Sequence, residues 1–281
     1  MKHGFFRKEI VNRRHCLSRG LLLGLAWLGG PSAWGAGEKP IRVLAASDLK
    51  FVLTKIASRF QQDTGQLVDL NFGSSGNYTR QLQQGLKADL FLSADEALVG
   101  QLVAAGLSRR VAGPSGEQAD HGALYGRGRL VLLVPGSSDL ALDPGLQGLM
   151  ARWGQIHKFA IANPEHAPYG RAAREALEQL GLWQRMQSKL VLGENIAQAT
   201  QYVISGAAQA GITALSLVSA PELARAGRYL VLPESLHQPL FQRMVLLKNA
   251  SRPAVLFYDY LQSAAAREIF RGYGFVTSAL P

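Results

Sequence analysis

The chain has 281 residues, 47% hydrophobic and 18% charged, with a formal charge of +10 and a single cysteine, Cys16. This is ordinary globular composition, long enough for two modest α/β lobes, and no apolar run reaches the roughly 18 residues of an uncleaved membrane helix. One cysteine leaves no intrachain disulfide and no thiolate metal cluster.

The first segment, "MKHGFFRKEIVNRRHCLSRG", carries six basic residues against Glu9 alone, and "LLLGLAWLGG" and "PSAWGAGEKP" follow it. A basic stretch, an apolar stretch and small residues in that order predict a secretory signal, residues 1–36, cleaved after Gly35 or Ala36. Arg13-Arg14 partly matches a twin-arginine export signal, so the route stays open. The leader accounts for half of the +10, and the remainder contains no lysine-arginine block. Nucleic-acid binding therefore gains no support. Cys16 falls in the leader, in a context unlike a lipoprotein processing site.

Strands and helices then alternate, the pattern of a parallel sheet covered by helices. "IRVLAAS" (41–47) reads as a buried strand. "DLKFVLTKIASRFQQDTG" (48–65) reads as a helix with Leu49, Val52, Leu53, Ile56 and Phe60 on one face and Gly65 at its end. "QLVDLNF" and "ADLFLSAD" predict further strands, each followed by a helix. The glycine-rich stretch 112–128 and the apolar strand "RLVLLVPG" (129–136) read as the passage into a second lobe. "FAIANPEHAPYGRAAREALEQLG" (159–181), "LVLGENIAQATQYVISG" (190–206) and "AGITALSLV" (210–218) build that lobe. "PLFQRMVLLKN" (239–249) reads as the return, and a last helix over 253–274 packs on the first lobe. The organisation expected is a leader (1–36), lobe I (37–124 and 240–281) and lobe II (125–239).

Ligands of open α/β sheets collect at the carboxyl ends of strands. Four strand-to-helix loops fill that position: Ala46-Ser47-Asp48, Gly73-Ser74-Ser75-Gly76, Pro164 to Gly170, and Gly193-Glu194-Asn195-Ile196. A helix start exposes unpaired N–H groups and the positive end of its dipole, so it binds anions without lysine or arginine. Each residue also has a plainer reading. Ser47, Asp48, Ser75 and Asn195 are good helix caps, Tyr169 fills a loop, and Ile196 belongs to a core. The coincidence of four such loops in two lobes favours a ligand. Catalysis finds no support. His121, His157, His166 and His237 show no metal-ligand spacing, and P-loop, dinucleotide and hydrolase-elbow motifs are absent. Glu165-His166 reads as a brace for its Pro-flanked loop.

"AASDLKFVLTKIASRFQQDTG", "NFGSSGNYTRQLQQGLKADLFLSAD", "ANPEHAPYGRAAREALEQLG" and "FYDYLQSAAAREIFRGYGF" resemble the periplasmic molybdate-binding proteins of the ModA type, over about residues 39–281. The resemblance implies a two-lobed type II periplasmic binding protein fold, each lobe a mostly parallel sheet flanked by helices and joined by two crossover strands. It implies capture of molybdate, and of the similar tungstate, for an ABC importer's membrane permease. It implies a monomer with no cofactor and no chemistry on the ligand. By position it assigns ligand contact to Ser47, Asp48, Ser75, Tyr169 and the amide of Ile196, with Ser74, Gly76 and Asn195 in support. Two features depart from it. Many relatives have Ser, Thr or Asn at the place of Asp48. Two like unit charges about 4 Å apart repel by roughly 4 kcal/mol at an effective dielectric near 20, so the Asp48 side chain is expected to turn away, capping its helix or pairing with Lys50. Some relatives carry a tyrosine where this chain has Ala214, and Tyr169 is expected to supply that hydroxyl instead. The competing readings are a binding protein for another tetrahedral oxyanion such as sulfate, the sensing half of a transcription regulator, and a secreted enzyme.

Overall fold

The computed structural model describes residues 39–113, 116–223 and 225–277. The expected leader, with Arg13-Arg14 and Cys16, lies outside them. Strand β1 (Ile41–Ala46) ends in a 3-10 turn, Ser47–Leu49, that runs directly into α1 (Lys50–Thr64). The unit repeats as β2 (Val68–Gly73), α2 (Ser75–Gln83), β3 (Leu90–Ser93) and α3 (Glu96–Ala104). A hairpin, β4 (Arg110–Gly113) and β5 (Gly116–Ala119), precedes β6 (Ala123–Gly128). Then come β7 (Leu130–Pro135), α4 (Gln147–Ala151), β8 (Phe159–Ala162), α5 (Pro168–Gln179) and α6 (Trp183–Met186). The second half closes with β9 (Leu190–Gly193), α7 (Ile196–Ile204), β10 (Ala210–Ala214), α8 (Leu215–Val218) and β11 (Gly227–Val231). The chain returns through β12 (Leu240–Leu246) to α9 (Arg252–Leu261) and α10 (Ala264–Gly272).

Two five-stranded sheets result, ordered β2-β1-β3-β12-β6 and β11-β7-β10-β8-β9. The strands that alternate with helices pair in parallel, β1 with β2 and β3, and β8 with β9 and β10. The crossing strands run antiparallel to their neighbours, β12 to β3 and β6, and β7 to β10 and β11. Each sheet is thus mixed rather than mostly parallel, with two parallel and two antiparallel pairings. Strands β3 and β7 are almost wholly buried, as strands covered on both faces require. Helix α1 shows how the sequence sets the packing. Val52, Leu53, Ile56 and Phe60 turn inward together, and Gly65 ends the helix at φ +76°, its N–H returned to the carbonyl of Gln61. Against that face pack Phe257 and Phe270 of α9 and α10, while Leu82, Val99 and Leu102 cover the other side of the first sheet.

The chain crosses between sheets twice. The first crossing is a single residue, Arg129, between β6 and β7; the second is the stretch between β11 and β12. The crossing therefore comes a few residues after the 124/125 boundary read from the sequence, because β6 hydrogen-bonds to the returning β12. Glu234 ties the two crossings together, its carboxylate 3.1 Å from Arg127 and 3.0 Å from Arg129. The single helix expected over 253–274 is two. Ser263 interrupts it and caps the second, its hydroxyl accepting from the N–H of Ala266.

Candidate functional site

The carboxyl ends of both sheets face one cavity. Its walls are Ala46, Ser47 and Asp48 after β1, Gly73, Ser74 and Ser75 after β2, Ala94 after β3, Ala167 to Tyr169 at the start of α5, and Asn195 and Ile196 at the start of α7. It holds about 200 Å³ of space. Neither lysine nor arginine is among these residues. A wider surface groove runs beside Lys55, Arg59 and Glu268; charged side chains of mixed sign line it and none of the candidate residues faces it.

Of the expected residues, Ser47, Asp48, Ser74, Ser75, Tyr169, Asn195 and Ile196 meet at this cavity. Gly76 sits just behind it. A methyl group added there would stand 2.5 Å from the carbonyl oxygen of His166 in the opposite lobe, so only glycine permits the approach. The Gly76 N–H uses it, donating to that oxygen at 3.0 Å. Ala214 ends β10 in the core and does not line the cavity.

The serines differ in the use of their hydroxyls. A serine hydroxyl has one hydrogen to give and two lone pairs to receive. Ser47 accepts from the N–H of Ala197 at 3.2 Å, and Ser75 accepts from the N–H of Ala94 at 3.1 Å. Each keeps its own hydrogen for the cavity. Ser74 instead donates to the carbonyl of His166 at 2.6 Å and lies 2.9 Å from the ring Nδ1 of that residue. The cap reading of Ser75 gives way accordingly: Ser74 is the N-cap residue of α2, and it makes no side-chain cap bond. Asn195 does cap α7, accepting from the N–H of Gln198, and leaves Ile196 as the first residue of the helix. Proline at the first position of α5 costs no hydrogen bond and sets the turn that presents Tyr169. The Tyr169 hydroxyl accepts from Gln242 Nε2 at 3.1 Å. Gly128 makes room for it, since a methyl group there would lie 2.1 Å from the hydroxyl oxygen. Burial, and then the nearby Asp48 charge, hold the phenol well above its ordinary pKa, so it stays a donor.

Asp48 departs from expectation. Its side chain neither caps a helix nor pairs with Lys50, which is exposed. It is buried at the cavity floor, where Oδ2 accepts from Gln242 Nε2 at 2.9 Å and Oδ1 has no partner. Burial pushes its pKa up to about 6, held back by the Gln242 hydrogen bond and by the nearby Tyr169 hydroxyl and backbone of Asp48 and Leu49. Gln242 Oε1 in turn lies 2.8 Å from the hydroxyl of Tyr125, which also reaches the carbonyl of Ser93 at 3.0 Å. Sequence reasoning missed Gln242 and Tyr125. Their one signal was polarity, in particular a glutamine set in the apolar return strand "PLFQRMVLLKN".

Across the cleft the lobes are joined by polar contacts. Ser216 donates to the carbonyl of Asp48 at 2.9 Å, Arg171 pairs with Asp95 at 2.9 Å, and Asn77 bonds to Glu194. His166, expected to brace its own loop, also grips the other lobe through Ser74 and Gly76. The arrangement suits a small anion held by neutral donors, with the lobes shut over it.

Known proteins point the same way. A sequence profile of bacterial extracellular solute-binding proteins matches residues 41–276. The chain is 35% identical to the molybdate-binding protein ModA of Azotobacter vinelandii over 250 residues, 88% of this chain and 93% of that one. It is 34% identical to ModA of Rhodobacter capsulatus over 261 residues, 92% and 93% of the two chains. The solved structure of the Azotobacter vinelandii periplasmic molybdate-binding protein superposes with a TM-score of 0.74 at 27% identity, covering 86% of this chain and 99% of that one.

Proposed function

From the premise that the chain belongs to the bacterial extracellular solute-binding protein family, we propose that it captures molybdate between its two lobes for an ABC importer. The observation that carries this reading is the cavity where four helix-leading loops converge with no cationic side chain. A buried dianion there is balanced by many charge-assisted hydrogen bonds rather than by a counter-ion. Ser47 and Ser75 give their free hydroxyl hydrogens, Tyr169 gives its phenol hydrogen, and the start of α7 at Ile196 gives backbone N–H. Ser74, Gly76 and Asn195 shape the walls. Fixed donors on rigid elements select by radius, which admits tungstate beside molybdate and disfavours smaller sulfate and phosphate. Closure about the two crossings buries the anion, and the ligand leaves unchanged, with no cofactor required. The protein works as a monomer in the periplasm, residues 1–36 serve as its export signal, and the importer's permease receives the ligand.

Calorimetric titration of the purified protein with molybdate, tungstate, sulfate and phosphate tests this. Molybdate and tungstate are expected to bind with sub-micromolar affinity, more than about 8 kcal/mol, and to raise the melting temperature. Absence of molybdate and tungstate binding, or tighter binding of sulfate, overturns the proposal.

A further inference from the structure

A carboxylate on the floor of a cavity built for a dianion is the one group there that repels its ligand. We propose that Asp48 takes up one proton as the oxyanion binds and then donates a hydrogen bond to it, so that capture is coupled to proton uptake. This rests on the oxyanion reading of the same cavity and deepens it.

The surroundings of Asp48 leave its carboxyl without a counter-charge. Its own turn contributes Ser47 and backbone N–H groups. Strand β12 contributes the neutral Gln242, α5 Tyr169, β6 Tyr125, and α8 Ser216, which bonds only the Asp48 carbonyl. The charged residues on these elements are engaged elsewhere. Lys50 is exposed, Arg127 pairs with Glu234, Arg171 with Asp95 and Glu175, Arg174 with Glu178, Arg243 with Glu96 at 3.0 Å on the other face of β12, and His166 is held between Ser74 and Glu194. One carboxyl oxygen is satisfied by Gln242; the other is buried with no protein partner. As a carboxylate oxygen it only accepts, and an oxyanion only accepts, so the two have nothing to exchange. With a proton on Oδ1 the same atom becomes a donor, and the unsatisfied group and the repulsion vanish together. Solvent supplies the proton, and no other bond changes.

Burial, partly offset by the hydrogen bonds around it, already brings the carboxyl of the empty site to about 6, and a neighbouring dianion raises it further. The sign follows. Below about pH 6 the empty site already carries the proton and affinity is flat. Above it each bound dianion must draw a proton from solvent, and apparent affinity falls by about tenfold per pH unit.

The test is calorimetry of the purified protein with sodium molybdate at about pH 5.5, 7 and 8, each in two buffers of different protonation enthalpy. The wild type is expected to take up close to one proton at the highest pH, and to bind about 100-fold more weakly there than on its low-pH plateau. Asp48→Asn, an amide donor of the same shape, is expected to show no uptake, to lose the pH dependence, and to bind at least about tenfold tighter than the wild type at the highest pH. Wild-type binding without proton exchange overturns the inference, as does Asp48→Asn keeping the wild-type pH profile. The wild-type buffer pair decides the matter even if the variant fails to fold. If the wild type binds no molybdate at any pH, the oxyanion reading itself fails and this inference falls with it.

Discussion

Ser74 and Ser75 are adjacent in the chain and opposite in role, and the difference is the direction of one hydrogen. Ser74 gives its hydrogen to His166, while Ser75 receives one from Ala94 and keeps its own. Replacing Ser75 or Tyr169 by Ala or Phe, respectively, should remove one hydrogen bond to a charged group. Each change is expected to weaken molybdate binding by about 1.5–3 kcal/mol, roughly tenfold to a hundredfold, measured by calorimetry; unchanged affinity would reject that residue's contact. At this scale the sequence was informative where a residue acts through its own loop. The loops that carry Ser75 and Tyr169 were legible because both join a strand to a helix, whereas the contact roles of these residues rest on the family resemblance. The environment of Asp48 was not legible, because the group that holds it, Gln242, lies 194 positions along the chain. No local pattern links two residues so far apart.

The helix start is the working element. Helices α2, α5 and α7 and the turn before α1 each bring a first residue to the same 200 Å³ space, so small errors in their placement matter more than any one side chain. Gly76 makes this testable. In Gly76→Ala the added methyl group collides with the His166 carbonyl, and α2 cannot come up to the other lobe. Affinity for molybdate is expected to fall by at least about tenfold. The melting temperature without ligand should stay within about 2 °C of wild type, because the open lobes accommodate the methyl group. A fall in melting temperature with intact affinity would place the role of Gly76 in folding instead. Alternation of apolar runs and helical faces made these elements legible to within a few residues. The exceptions have local causes: Ser263 splits the last helix, the hairpin β4–β5 is short and polar, β6 lies in a glycine-rich stretch, and α4 and β11 are only five residues each.

The first sheet of the whole molecule draws on both ends of the chain. Strand β12 occupies the place between β3 and β6, and α9 and α10 cover the face that α1 shares. The second sheet, by contrast, is one continuous stretch from β7 to β11. The two-lobed plan was legible from the sequence, while the mixed strand directions follow from the crossings, which pattern alone does not orient. The order in which the chain is made gives this asymmetry a history. As residues emerge in sequence, the second lobe has every strand it needs before β12 exists. The first lobe waits with the apolar edge of β3 unpaired, an invitation to association with other chains until the last seventh or so of the protein arrives. Pulse-labelled hydrogen exchange on ribosome-bound nascent chains should therefore find β8 and β10 protected before β3. Simultaneous protection would mean that the lobes fold as one. A protein read here as a clasp for a small anion is also a chain whose first-made half must be finished last.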